Sequence, residues 1–195
     1  VYRELSEDLV QHHWLEVRAE ANQCDSCLIA ALPTVTQVSR CSLLSGFLQG
    51  GAAADEKKAF SAHPELKKLA STRFPPTVFH KQDLVQAGSG ALSSDVRSKL
   101  ANTEYRVLAA VINAIDDQLS SSSQVSVDWT LKRLSLVRQV LEAAREAGRV
   151  VIITSDHGHV LDHDSFYQPS SAASNDNGGE RDQLAADDIS EHEIA

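Results

Sequence analysis

The tightest constraint on this chain is the stretch Arg149–His163, R-V-V-I-I-T-S-D-H-G-H-V-L-D-H. Val150 to Thr154 is a short apolar run of mostly β-branched residues, bounded by Gly148 before it and a polar cluster after it. That pattern predicts a buried strand, in parallel pairing. Ligand sites in open α/β sheets lie beyond the carboxyl ends of strands, where Ser155-Asp156-His157-Gly158-His159 falls. A carboxylate beside imidazoles supplies the oxygen and nitrogen donors that a divalent metal takes. Gly158 is expected to let the backbone turn so that Asp156 and His157 face one centre.

The helix preceding that run is the clearest in the chain. Across Thr130–Gly148, Leu131, Leu134, Val137, Val140, Leu141 and Ala144 form one apolar stripe, and Gly148 suits the position after the helix end. Helix followed by strand is half of a βαβ unit. A second strand is expected over Tyr105–Ile115 (Y-R-V-L-A-A-V-I-N-A-I). Asn113, Asp116 and Asp117 at its end would place hard oxygen ligands on the same sheet edge as Asp156 and His157; a solvated loop explains them as well.

Upstream, residues 1–13 read as an amphipathic helix carrying Tyr2, Leu5 and Leu9. His12 and His13 are adjacent and so point to different faces; solvated or capping roles are expected for them. Cys27–Pro33 (C-L-I-A-A-L-P) reads as a short buried strand ended by proline. Thr34-Val35-Thr36-Gln37-Val38-Ser39-Arg40 then leads into a helix with Leu43, Leu44, Phe47 and Leu48 as its apolar face, closed by Gly46 and Gly50-Gly51. A hydroxyl at such a strand-to-helix junction is either an N-cap or a nucleophile, whose alkoxide the helix N-terminus would stabilise. Short helices are expected at 52–59 and 64–70, a turn or extended segment at 73–76, and a helix at 91–100. His63 and His80 stand alone and are expected to be structural. Ser120–Ser126 reads as a loop, and residues 168–195 as a flexible acidic tail.

Composition removes several function classes. A net charge of −9 argues against binding nucleic acid by bulk charge; a metal centre handling phosphodiesters remains compatible, since the ion supplies local positive charge. Cys24-Asp25-Ser26-Cys27 has no second cysteine pair, so structural zinc is not expected, and it does not open a helix after a strand as a redox motif would. Small buried or surface thiols, reduced as in the cytoplasm, are the expectation for all three cysteines. No apolar run is long enough to span a bilayer, and no signal-peptide pattern is present. The chain contains no methionine and opens on Val1, so a fragment or trimmed product of a larger protein is expected.

Three pieces stand in the order P-T-V-T-Q-V-S-R…L-L-S-G, N-A-I-D-D and V-V-I-I-T-S-D-H-G-H. Together they resemble the alkaline phosphatase superfamily of metalloenzymes. The closer likeness is to the PglZ proteins of bacterial phage-exclusion (BREX) defence, particularly those of type 2 systems, whose wording L-P-T-V-T-Q-V-S-R, E-K-K-A-F-S-A-H-P, F-H-K and T-S-D-H-G-H-V-L-D matches. The resemblance runs from Val1 to about His163.

It implies an α/β fold, an alkaline-phosphatase-like sheet of mostly parallel strands with helices on both faces, here lacking its opening strand. A partial domain over 1–167 and a tail over 168–195 follow. The resemblance puts the nucleophile at Thr36, with Thr34 and Ser39 as competitors. Asp156 and His157 match the pair that holds one metal, and Asp116 or Asp117 sits where a ligand of the other is found. Zinc is the metal implied, with manganese or magnesium as alternatives. The family's His four residues after that Asp is replaced by Ser120 or Ser121, against a full two-metal centre; His159 and His163 are the candidates left to substitute. An Asp on the opening strand would lie upstream of Val1. A late His is not found before Ala195, His192 being a poor candidate. An exposed parallel strand edge and weak or absent activity are expected of the chain as it stands.

The function implied is a metal-dependent phosphoesterase, acting on a phosphomonoester or phosphodiester such as nucleic acid, with Arg40 contacting the phosphate and other BREX proteins as partners. The competing reading is a structural or docking subunit that has kept the fold without catalysis. Sulfatase chemistry would need Cys or Ser where Thr36 stands.

Overall fold

The computed structural model describes residues 1–17, 29–121 and 128–158. They form two compact units. The first holds 1–17, 57–121 and 128–153 of the described residues; the second holds 29–56 and 154–158.

The first unit is organised on helix α8 (Ser135–Glu146), with Gly148 at φ 64 just beyond its end; the helix expected from Thr130 begins only at Ser135, and Leu131 and Leu134 precede it. Glycine adopts that left-handed conformation without a Cβ penalty, so the expected stop is where it should be. The earlier elements, in chain order, are α1 (Tyr2–Gln11), α2 (Thr36–Ser45), α3 (Ala53–Ala62), α4 (Pro64–Leu69), β1 (Thr77–Phe79), α5 (Lys81–Leu84), α6 (Ser94–Ala101), β2 (Leu108–Ala110) and α7 (Ala114–Ser121). The apolar stripe of α8 serves two cores. Val140 and Ala143 pack with Phe79, Leu84, Leu92, Val96 and Leu100. Val137 and Leu141 pack with Leu5, Trp129, Leu131 and Leu134. Full burial of a leucine contributes roughly 1.5–3 kcal/mol, so this one helix anchors both α6 and α1.

Arg149 fixes the end of α6. Its guanidinium donates to the carbonyls of Leu100, Tyr105, Lys99 and Asn102 at 2.7, 2.7, 3.2 and 2.9 Å. A cation there satisfies carbonyls that the helix leaves unbonded and complements its dipole. Burial lowers the pKa of this arginine from its ordinary value.

Among the described residues the sheet has two strands. β1 and β2 are parallel, with Thr77, Val78 and Phe79 opposite Leu108, Ala109 and Ala110. The many-stranded sheet expected from the sequence is present only as this pair. The expected strand over 105–115 shortens to three residues because a ladder extends only as far as its partner, and β1 is three residues long. T-V-F itself, directly after Pro75-Pro76, is too short for a periodicity to be read from it.

Two further strand expectations are corrected. Residues 29–33 are not a strand, and Ile29 and Leu32 are exposed. Residues 150–154 form no strand either: Val150 and Ile152 are 89% and 88% exposed, while Val151 packs against the second core. A parallel strand is stable when neighbours take up its backbone groups and cover both faces. The apolar run supplies the side chains, but no described strand pairs with it. The expected strand edge is therefore not formed by this segment.

Other readings hold. Helix 1–13 is α1, and 52–59, 64–70 and 91–100 correspond to α3, α4 and α6. His12 Nδ1 donates within its own turn, to Asp8 O at 2.8 Å. His63 and His80 are the N-caps of α4 and α5, His63 Nδ1 accepting from Leu66 N at 3.4 Å. The Cys24–Cys27 pair, most of the serine-rich loop, His159, His163, His192 and the acidic tail lie outside the described residues.

Candidate functional site

The second unit is built around α2, whose sequence T-Q-V-S-R-C-S-L-L-S buries Ser39, Cys41, Ser42 and Ser45. The expected apolar face is turned the other way: Leu43, Phe47 and Leu48 are exposed. The reason is the segment after Gly46, which folds back along the helix and brings unsatisfied backbone groups with it. Ser42 Oγ donates to Gln49 O at 3.1 Å and accepts from Gln49 N at 3.0 Å. Ser45 Oγ donates to Phe47 O at 2.9 Å. Gly51 N donates to Gln37 O at 3.0 Å. Buried backbone groups must be paired, and short hydroxyl side chains pair them where leucines could not.

Gly51 is needed for space rather than for backbone freedom. A Cβ there would lie 2.8 Å from Asp55 Cβ and 3.0 Å from Cys41 Sγ. Asp55 Oδ2 in turn accepts from Ala52 N at 2.9 Å, closing the start of α3. Burial, then the carboxylates of Glu56 and Asp55, push the Cys41 thiol up against the opposing pull of Arg40. A thiol so held stays protonated and unreactive, as expected of a structural cysteine.

The chemistry gathers at the first residue of α2. Val35 is the N-cap, extended at φ −91, ψ 141, and makes no side-chain capping bond. Thr36 follows, so its hydroxyl is not consumed as a cap. Thr36 Oγ1 lies 3.3 Å from His157 Nε2. His157 Nδ1 is 3.0 Å from Gly158 O. A carbonyl only accepts, so this contact places the proton on Nδ1 and leaves the Nε2 lone pair facing Thr36. Asp156 Oδ2 is 3.9 Å from the same Nε2. Thus Thr36, Asp156 and His157 are brought together across a sequence separation of some 120 residues. Gly158 contributes its carbonyl to this arrangement; the backbone bends at Asp156 and His157, with Gly158 itself outside the left-handed region.

Of the competing nucleophiles, Ser39 is buried with Oγ donating to Val35 O at 2.9 Å. Thr34 precedes the helix, outside any regular element. Arg40, one turn after Thr36, pairs through Nε with both oxygens of Glu56 at 3.0 and 3.1 Å. Glu56 was not singled out from the sequence; E-K-K-A-F contained it, but a glutamate in a charged first turn reads as solvated. Here it is 0% exposed.

Asp116 and Asp117 belong to the first unit. They stand in the first turn of α7, not in a loop at a strand end. Acidic side chains are favoured there by the helix dipole, and Asp117 pairs with Lys81 Nζ at 2.7 Å. Among the described residues, no three His, Cys, Asp or Glu side chains are placed to hold one ion.

Asp156 and His157 fit part of a metal shell. Two donors on one tetrahedral zinc ion stand about 3.4 Å apart, close to the 3.9 Å seen. Nδ1 is anchored on a carbonyl, as in metal-ligating imidazoles, which leaves Nε2 to bind.

A hydroxyl at a helix N-terminus, with an imidazole and a carboxylate beside it, brings together the side-chain types from which nucleophilic sites can be built. The family it accompanies is specific: the BREX system PglZ alkaline phosphatase-like domain matches residues 1–182. The chain belongs to that family, a component of BREX defence. No curated protein matches the chain, and neither does any solved structure. No helix among the described residues is long and apolar enough to cross a membrane.

Proposed function

We propose that the chain is a metal-dependent phosphoesterase domain of the BREX apparatus, with Thr36 as nucleophile and Asp156 and His157 as metal ligands. The observation that carries this reading is Thr36 Oγ1 at 3.3 Å from His157 Nε2, at the start of α2. A divalent ion, zinc first among the candidates, would lower the pKa of the hydroxyl and neutralise charge on the phosphoryl oxygens. Thr36 Oγ1, its proton passed to solvent, forms a bond to phosphorus as the bond to the departing ester oxygen breaks and that oxygen takes a proton from water; a second water then cleaves the phosphothreonine, releasing phosphate and restoring the hydroxyl. His157 Nε2 has one lone pair; used as a ligand, it releases the Thr36 hydroxyl for attack. Backbone N–H groups of the first turn of α2 are oriented for an anionic phosphoryl group. Substrates would be phosphomonoesters or phosphodiesters, nucleic acid included, and other BREX proteins the partners.

A second reading is supported by the absence of three converging metal donors among the described residues and by the engagement of Asp117 with Lys81. It makes the chain a docking component that retains the family fold without turnover.

One experiment separates them. The chain is titrated calorimetrically with zinc and with manganese, then acid-quenched during incubation with p-nitrophenyl phosphate and its diester, and Thr36 is inspected by mass spectrometry. The enzyme reading expects metal binding that is lost in Asp156→Ala and kept in Thr36→Ala, with an adduct on Thr36 only when that residue is present. Absence of both metal binding and adduct leaves the docking component.

A further inference from the structure

Among the described residues, Glu56 is a fully buried carboxylate, and its pairing with Arg40 has no task in the reading above. Arg40 lies four residues after Thr36 on α2, so the two side chains share a helix face. Long helical side chains lean toward the N-terminus and cover the preceding turn, which for Arg40 is the turn that opens with Thr36. Glu56 takes only the Nε edge: both its oxygens bond Nε, at 3.0 and 3.1 Å. Arg40 makes no other hydrogen bond with a described residue, and its side chain is 19% exposed. A guanidinium held by one edge in a fixed plane keeps the Nη fork for a second acceptor, and that fork matches two oxygens of a phosphate.

We propose that Glu56 is a positioning residue: its buried carboxylate fixes the plane of Arg40 so that both Nη nitrogens meet the phosphoryl group at Thr36. This rests on the phosphoesterase reading. A lysine would not replace Arg40, because its ammonium is a point charge without the planar fork that meets two phosphate oxygens while a further N–H holds the carboxylate.

The test is the affinity of the zinc-equilibrated chain for inorganic phosphate, measured by calorimetry alongside thermal unfolding. Arg40→Ala is expected to weaken phosphate binding about 10- to 100-fold, the range of charge-assisted hydrogen bonds. Glu56→Gln is expected to weaken it about 10-fold, and to have no further effect in the Arg40→Ala background. Arg40→Lys, which keeps a cation beside Glu56, covers the case in which Glu56→Gln does not fold; a similar loss of about 10-fold with little change in melting temperature supports the proposal. A folded Glu56→Gln, or Arg40→Lys, with the parent affinity overturns it, whatever its melting temperature. If Arg40→Ala also binds as the parent does, Arg40 has no phosphate role. If the parent chain binds no phosphate at all, the phosphoesterase reading fails together with this one.

Discussion

Helices α2 and α8 are ten and twelve residues long, yet they pack by opposite chemistry. α8 buries leucine, valine and alanine in two apolar cores. α2 buries serine and cysteine against a returning backbone and turns Leu43 outward. The first arrangement is stabilised by removing apolar area from water. The second is stabilised by satisfying polar groups that would otherwise be buried unpaired, so it depends on the identity of each small residue. The catalytic candidates sit on the second. A helix held by specific hydrogen bonds depends on each small residue, whereas an apolar face tolerates volume-conserving changes.

The largest effect expected from this contrast is on α8. Leu141→Ala should cost about 2–5 kcal/mol, read by denaturant unfolding with Trp129 fluorescence, since Trp129 shares its core. An equal loss from an outward-facing leucine of the other unit would abolish the contrast. On the α2 side the sensitive position is a glycine. Gly51→Ala should cost about 1–3 kcal/mol as an overpacked site, because Asp55 or Cys41 must move; a neutral result would show that the returning segment is not tightly seated. Smaller again is the pair Lys57–Asp83, at 2.6 Å near the surface of the first unit. Burial works against the Asp83 carboxylate, but the hydrogen bonds from Lys57 and the His80 backbone outweigh it, and the pKa is lowered. A lowered folded pKa gives stability that is present above the unfolded carboxylate value and fades as pH falls through the folded one. The contribution should be about 0.2–1 kcal/mol after solvent screening, and a pH series of Asp83→Asn against the parent should converge in acid. Divergence in acid would give the pair the wrong sign. Least of all, Leu48→Ala should change stability by no more than about 0.5 kcal/mol, despite removing a leucine.

The sequence was legible where one helix carried its own periodicity. The stripe Val137–Ala144 and the stop at Gly148 were readable because helical contacts recur three or four residues apart, whereas Leu131 and Leu134, counted in the same stripe, lie ahead of the helix. The T-S-D-H segment was readable as a polar cluster, and Thr36 and His157 do meet, with Asp156 beside them. Strand pairing was far less legible: V-V-I-I-T carries a buried-strand pattern and is exposed, whereas T-V-F carries almost none and is β1. Glu56 was hidden because burial of a charge depends on its partner, and Arg40 lies 16 residues away.

By itself, then, the sequence determined helices α1, α3, α4 and α6, the body and stop of α8, and the polar side-chain types available at its motifs, since these follow from local sterics and from side-chain donors and acceptors. Only the tertiary structure decided which apolar runs became strands, which face of α2 turned inward, that Asp116 and Asp117 open a helix, and that Thr36 meets His157. Each of those depends on a partner distant in the chain, and a pattern of neighbouring residues carries no information about which distant group will be there to satisfy it.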